Sequence, residues 1–136
     1  MDDRELIRLA YQARASAHAP YSGFRVGAAL LTNSGKVYTG CNIENASYGA
    51  SNCAERTAFF KAVSEGEREF QAIAVVGGKE EITESCPPCG ICRQVMMEFC
   101  NPDTFYILFE GKGKIICKYL LRELLPEGFG AGNLAR

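Results

Sequence analysis

Apolar residues recur at helical spacing near the start of the chain: Leu6, Leu9, Ala10, Ala13 and Ala17 form a stripe across residues 3–17, with acidic residues at the front. That period predicts an amphipathic helix, stopped by Ala19-Pro20-Tyr21-Ser22-Gly23. The pattern then changes. Residues 25–31 are mostly apolar, Thr32-Asn33-Ser34-Gly35 supplies turn chemistry, and residues 36–40 complete an expected β-hairpin. A polar segment follows, Asn42-Ile43-Glu44-Asn45-Ala46-Ser47-Tyr48-Gly49, richer in hydrogen-bonding groups than a connector requires.

Ser51 or Asn52 can cap a helix over about residues 53–64, with Phe59, Phe60 and Val63 available for burial. Residues 73–76 read as a buried strand and 77–88 as a loop. A further helix is expected from about Cys89 through Val95, Met96 and Phe99, ending at Asn101-Pro102. Residues 104–109 and 114–117 read as two strands joined by Gly111-Lys112-Gly113, and a last short helix holds Leu120, Leu121, Leu124 and Leu125 ahead of Pro126. This order predicts a layered α/β domain, with about five strands and helices on the faces.

The chain has 136 residues, 47% of them hydrophobic, enough for one compact domain over 1–136 and too few for two ordinary ones. No apolar run approaches the roughly 20 residues that span a bilayer, and Met1-Asp2-Asp3-Arg4 lacks the order of a signal peptide. The expectation is a soluble, cytoplasmic protein. Fifteen basic and sixteen acidic residues are interspersed, without the basic stripe that holds a nucleic acid, so a small-molecule partner is expected. Seven cysteines, an odd number with no export signal, argue against a disulfide framework and for metal ligation by some of them.

The chemistry concentrates in Cys53-Ala54-Glu55 and Pro88-Cys89-Gly90-Ile91-Cys92. Both fall where a loop is expected to enter a helix, and unpaired N–H groups at a helix N-terminus stabilise a thiolate. Cys53, Cys89 and Cys92 would give zinc three protein ligands, the number a catalytic site uses when it keeps one position for water. Glu55 is close but aimed differently, free to move protons. Three thiolates on Zn²⁺ leave a net charge of about −1. Arg56 and Arg93 could offset it through hydrogen bonds to sulfur.

These residues resemble the zinc-dependent cytidine deaminases of the short, homotetrameric kind. The likeness extends from Pro20-Tyr21-Ser22 through Phe24-Arg25-Val26-Gly27-Ala28-Ala29-Leu30, Gly40-Cys41-Asn42-Ile43-Glu44-Asn45, Cys53-Ala54-Glu55-Arg56-Thr57-Ala58 and Pro88-Cys89-Gly90-Ile91-Cys92-Arg93-Gln94 to Leu124-Leu125-Pro126 and Phe129. It implies a three-layer domain with a mixed sheet, one Zn²⁺ per subunit, and conversion of cytidine and 2′-deoxycytidine to uridine and 2′-deoxyuridine plus ammonia. Under it, Cys53, Cys89 and Cys92 match the ligands and Glu55 the proton shuttle. Phe24 matches the residue that packs against the base, and Asn42 and Glu44 the pair that binds the ribose hydroxyls. The Ala54 N–H would meet the base carbonyl, and Tyr48 and Phe129 would help complete a neighbouring subunit's pocket. Pro87 stands where the family commonly has Ser or Thr, with its carbonyl preserved as an acceptor for the leaving amine.

Other readings stay open at this stage. Cys86-x-x-Cys89 is an alternative spacing, and a fourth ligand at Cys86 would close the site into a structural zinc module. A thiol redox pair from Cys86, Cys89 and Cys92 would leave Cys53 unused. His18, the lone histidine, is expected at the C-terminus of the first helix, and Cys41, Cys100 and Cys117 as ordinary packed residues.

Overall fold

A computed structural model describes residues 1–79 and 83–134. Five strands, β1 (Phe24–Thr32), β2 (Val37–Cys41), β3 (Phe70–Lys79), β4 (Tyr106–Glu110) and β5 (Ile116–Leu120), form one sheet in the order β2-β1-β3-β4-β5. The helices are α1 (Asp3–Arg14), α2 (Ala54–Ser64), α3 (Gly90–Phe99) and the single turn α4 (Leu121–Leu124). The β3–β4 pair is parallel and the other three are antiparallel, so the sheet is mixed as expected. The parallel pair needs a crossover, and α3 lies on it.

Alternation along β1 divides the core into two layers. Ala29 and Leu31 face α1, where they pack with Leu6, Ile7, Ala10, Ala74, Val76 and Leu108. Ala28 and Leu30 face the opposite side, in a larger cluster with Ala58, Phe59, Ile73, Val75, Met96 and Phe105. Helices on both faces give three layers. Glycine lets them approach: a Cβ on Gly27 would stand 2.0 Å from the Ala10 carbonyl oxygen, and one on Gly40 would stand 2.5 Å from that of Ala54. Gly40 therefore sets how closely the start of α2 sits on the sheet.

Several boundaries differ from the sequence expectation. Helix α1 ends at Arg14, short of residue 17, because the chain beyond it pairs elsewhere: the His18 N–H donates to the Asn42 carbonyl at 3.0 Å, and the Glu44 N–H donates to that of His18 at 2.7 Å. His18 thus belongs to a bridge beside the polar loop and not to a helix end. Strand β3 continues through Gly77 and Gly78 to Lys79, since Val26, Arg25 and Phe24 of β1 pair with these residues. In α2, Phe59 is fully buried whereas Phe60 is 47% exposed. Strand β5 begins at Ile116, and a 3₁₀ turn over Lys112–Lys114 occupies the expected glycine connection.

Candidate active site

Cys53 and Cys89 occupy equivalent positions in two helices. Each has extended backbone and is the N-cap residue, of α2 and α3 respectively, so neither Ser51 nor Asn52 caps α2 as expected. The cap carbonyls accept the first helical N–H groups, Thr57 to Cys53 and Arg93 to Cys89, both at 3.0 Å. Neither sulfur caps its own helix, which leaves both free to converge. The Asn52 amide instead donates to the Thr57 hydroxyl at 3.2 Å, which donates to the Cys53 carbonyl at 3.1 Å.

The Sγ atoms of Cys53, Cys89 and Cys92 lie within 4.8 Å of one another. Cys53 and Cys89 are 3.7 Å apart, and Cys89 and Cys92 3.5 Å. Tetrahedral zinc with bonds of about 2.3 Å requires sulfur separations of about 3.8 Å, so this trio fits zinc. Among the described residues, these three alone form such a group, and Cys86 is outside it. A closed four-cysteine site lacks its fourth member, which removes the main support for the structural zinc module.

Charge around the trio is uneven. Without metal, the Cys92 hydrogen bond lowers the Cys53 thiol to about 5, with Arg56 assisting. The same contact pushes the Cys92 thiol up. Arg56 Nη2 donates to Cys53 Sγ at 3.3 Å, a contact of the kind expected of it, while Arg56 Nε is buried with no hydrogen-bond partner among the described residues. Arg93 differs from expectation. Its Nε donates to the Pro88 carbonyl and its Nη1 to that of Leu124, each at 2.7 Å, and no sulfur bond from it is present among the described residues. It ties α3 to the loop before it and to α4.

Glu55 is 4% exposed on the first turn of α2. Burial, assisted by the charge of Cys53, pushes its carboxyl up to about 7. A carboxyl poised there can take and return a proton near neutral pH. Cys53, Cys89 and Glu55 open on a cavity of about 420 Å³, with Cys92 buried behind them; its walls also include Val26, Asn42, Glu44, Tyr48, Ala54 and Arg56, with Cys86, Pro87 and Ile91.

The structure brings four of the six expected substrate residues to this cavity. Asn42, Glu44, Tyr48 and Ala54 all line the cavity. The Asn42 amide donates to the Phe24 carbonyl at 2.7 Å and accepts the Val26 N–H at 2.8 Å, which fixes its orientation. Glu44 is held by the turn before β1, where its Oε1 accepts the N–H groups of Tyr21 and Ser22. Phe24 is not among the lining residues; its ring edge would be 3.1 Å from a Cβ on Gly77, beside Val26 and Cys86. Phe129 is also outside the lining and 58% exposed, and its carbonyl accepts from the Gln94 amide at 2.7 Å. Sequence reasoning assigned no role to Ser22, whose hydroxyl bonds Glu44 from 22 positions away. Its only sequence signal was its place in the turn Pro20-Tyr21-Ser22.

The family profile described as "Cytidine and deoxycytidylate deaminase zinc-binding region" matches residues 1–108. A cytidine deaminase of Halalkalibacterium halodurans is 53% identical over 134 residues, covering 98% of each chain. One from Sporosarcina psychrophila is 50% identical, covering 99% of this chain and 96% of that protein. The crystal structure of cytidine deaminase from Burkholderia pseudomallei superposes with a TM-score of 0.86 at 50% identity, covering 95% of this chain and all of that one. On the strength of the profile, these relatives and the sulfur trio beside Glu55, the chain belongs to the cytidine and deoxycytidylate deaminase family.

Proposed function

We propose that this chain hydrolyses cytidine and 2′-deoxycytidine to uridine and 2′-deoxyuridine with release of ammonia, as a single domain spanning residues 1–136. The observation that carries this reading is the buried Glu55 carboxyl beside three converging sulfurs, in a cavity walled by Asn42 and Glu44. Cys53, Cys89 and Cys92 would hold zinc, which when bound would supply Lewis acidity for activating water at neutral pH. Glu55 takes a proton from the attacking water, delivers one to N3 of the pyrimidine, and later protonates the departing amine. Water adds at C4 and the C4–N4 bond breaks, so cytidine plus water becomes uridine plus ammonia.

The remaining roles concern binding. The Ala54 N–H belongs to the first turn of α2, where such groups lack helical partners, and it is suited to the base carbonyl. Pro87 lines the cavity, and its carbonyl is the acceptor proposed for the leaving amine. Asn42 and Glu44 hold the ribose, with Glu44 repelling a 3′-phosphate so that free nucleoside is preferred. Phe24, whose ring shares the surroundings of Gly77 with Val26 of the cavity wall, is the aromatic residue expected to meet the base. Arg56 offsets the thiolate charge; Arg93 contributes by fixing the Pro88–Cys89 arm and by its own positive charge.

A homotetramer fits the exposed apolar side chains at this end of the molecule, Tyr48 at 75%, Ile91 at 62% and Phe129 at 58%. Tyr48 and Phe129 would then complete a neighbouring copy's pocket, and light scattering tests the assembly. Among the described residues no helix is long and apolar enough to cross a membrane. A cytoplasmic role in pyrimidine salvage follows from the substrate class. The test of the reaction is to mix zinc-loaded protein with cytidine or 2′-deoxycytidine and follow the ultraviolet change on conversion to the uracil product; no change overturns the reading.

A further inference from the structure

The Ser22 hydroxyl has only one arrangement open to its proton. The Phe24 N–H donates to Ser22 Oγ at 3.0 Å, so that oxygen accepts there. Its other close partner is Glu44 Oε2, and an ionised carboxylate can only accept, so the Ser22 O–H donates to it. The Phe24 carbonyl serves Asn42, whose amide donates to it at 2.7 Å. Both members of the ribose pair are thus referenced to the backbone of one residue, Asn42 directly and Glu44 through Ser22.

A carboxylate offers about four acceptor positions. In Glu44, the Tyr21 N–H at 2.9 Å and the Ser22 N–H at 3.1 Å take those on Oε1, and the Ser22 hydroxyl takes one on Oε2. What remains is a single position on Oε2 of a residue that lines the cavity beside Cys53 and Glu55. The Ser22 hydrogen bond is also the leading reason that the Glu44 carboxyl lies below its usual range.

From this we infer that Ser22 is a positioning residue for sugar recognition: its hydroxyl fixes which lone pair of Glu44 is left for substrate and aims it at one ribose hydroxyl. The inference rests on the reading that Glu44 binds the sugar. With Ser22 in place, the carboxylate cannot swivel to offer both oxygens, so it accepts one hydroxyl in one geometry. Ser22 is exposed and outside both apolar clusters, so the role is separable from folding.

The experiment compares steady-state kinetics on cytidine and 3′-deoxycytidine for wild type, Ser22→Ala, Ser22→Thr and Glu44→Gln, all zinc-loaded, with thermal unfolding measured for each. For Ser22→Ala, kcat/KM on cytidine should fall about tenfold, the scale of one hydrogen bond to a charged group, almost entirely through KM. On 3′-deoxycytidine the same substitution should change it by less than about twofold, since the hydroxyl whose geometry Ser22 controls is missing. Ser22→Thr, which keeps the hydroxyl, should restore the cytidine value. An equal loss on both substrates, or none on either, overturns the role of Ser22. The control for the underlying reading is Glu44→Gln. If it discriminates between the substrates while Ser22→Ala does not, the sugar assignment stands and the inference fails; if Glu44→Gln affects both equally, the sugar assignment fails and the inference falls with it.

Discussion

Cys53 and Cys89 are the N-cap residues of two different helices, and their sulfurs lie 3.7 Å apart. Two helix N-termini therefore meet at one spot, and their partial positive charge lies beside the converging sulfurs. The two caps also make the cluster depend on packing. It exists only where α2 and α3 are both seated on the same face of the sheet, and the shared cluster of Ala58, Phe59 and Met96 seats them.

The three-sulfur assignment predicts opposite results for neighbouring cysteines. Cys53→Ala or Cys89→Ala should leave well under one zinc per chain after dialysis and abolish turnover. Cys86→Ala should retain one zinc per chain, because Cys86 is outside the trio and its thiol is pushed up to about 12, chiefly by burial. Metal analysis by mass spectrometry checks this; loss of zinc from Cys86→Ala would reinstate it as a ligand.

Arg56 donates to Cys53 Sγ at 3.3 Å, whereas Arg93 donates to carbonyls. Their substitutions should therefore differ in kind. Arg56→Ala should weaken zinc about tenfold, the usual scale for losing a group that bonds a metal ligand. It should also shift the pH profile of turnover, since the net charge of the site changes. Arg93→Ala should act more through stability, by freeing the Pro88 and Leu124 carbonyls. Competition with a chelator of known affinity and urea unfolding separate the two. Unchanged zinc affinity and an unchanged pH profile in Arg56→Ala would remove the compensation role.

The grouping of Cys53, Cys89 and Cys92 was legible in the sequence because helix entry and Cys-x-x-Cys spacing are local. What depended on distant partners was not. Gly77-Gly78 reads as a loop alone and becomes strand because Val26 and Arg25 pair with it. Helix α1 has a sequence that could run to residue 17, and the bridge from His18 to the loop beyond β2 ends it earlier. Arg93 looked like a sulfur partner from its adjacency to Cys92, but its reach to Leu124 was invisible before α4 was in place. The hydrogen bond between Ser22 and Glu44 likewise exists only once the turn and the loop are folded together.

Gly40 tests how tightly that folding is specified. A Cβ there would sit 2.5 Å from the Ala54 carbonyl oxygen and 2.6 Å from the Ala58 nitrogen, both backbone atoms of α2 that cannot rotate aside. Gly40→Ala should cost about 1–3 kcal/mol, and it should lower activity as well, because α2 carries Glu55 and is capped by Cys53. Gly132→Ala, which meets nothing within 4 Å, should stay within about 0.5 kcal/mol of wild type. Urea unfolding of the two variants checks the contrast, and equal stability would show that α2 can lift without penalty.

Glu55 joins stability to chemistry through one proton. In zinc-free protein, burial first and the Cys53 charge second raise its carboxyl from 4.5 to about 7. The folded state then binds that proton more tightly than the unfolded chain does, so this group's relative stabilisation is fully present below about 4.5 and is lost as pH rises to about 7. The total loss is roughly 3 kcal/mol at one pKa unit per 1.36 kcal/mol. Glu55→Gln cannot titrate, so the stability of zinc-free wild type minus that of zinc-free Glu55→Gln should fall across this window and level off above it. Urea unfolding of both at a series of pH values measures the difference; a flat difference would refute the burial effect. With zinc restored, Glu55→Gln should keep its metal yet lose about 10²–10⁴ in kcat, the usual contribution of a positioned acid–base group. Retained zinc with lost turnover would separate the proton carrier from the metal site beside it.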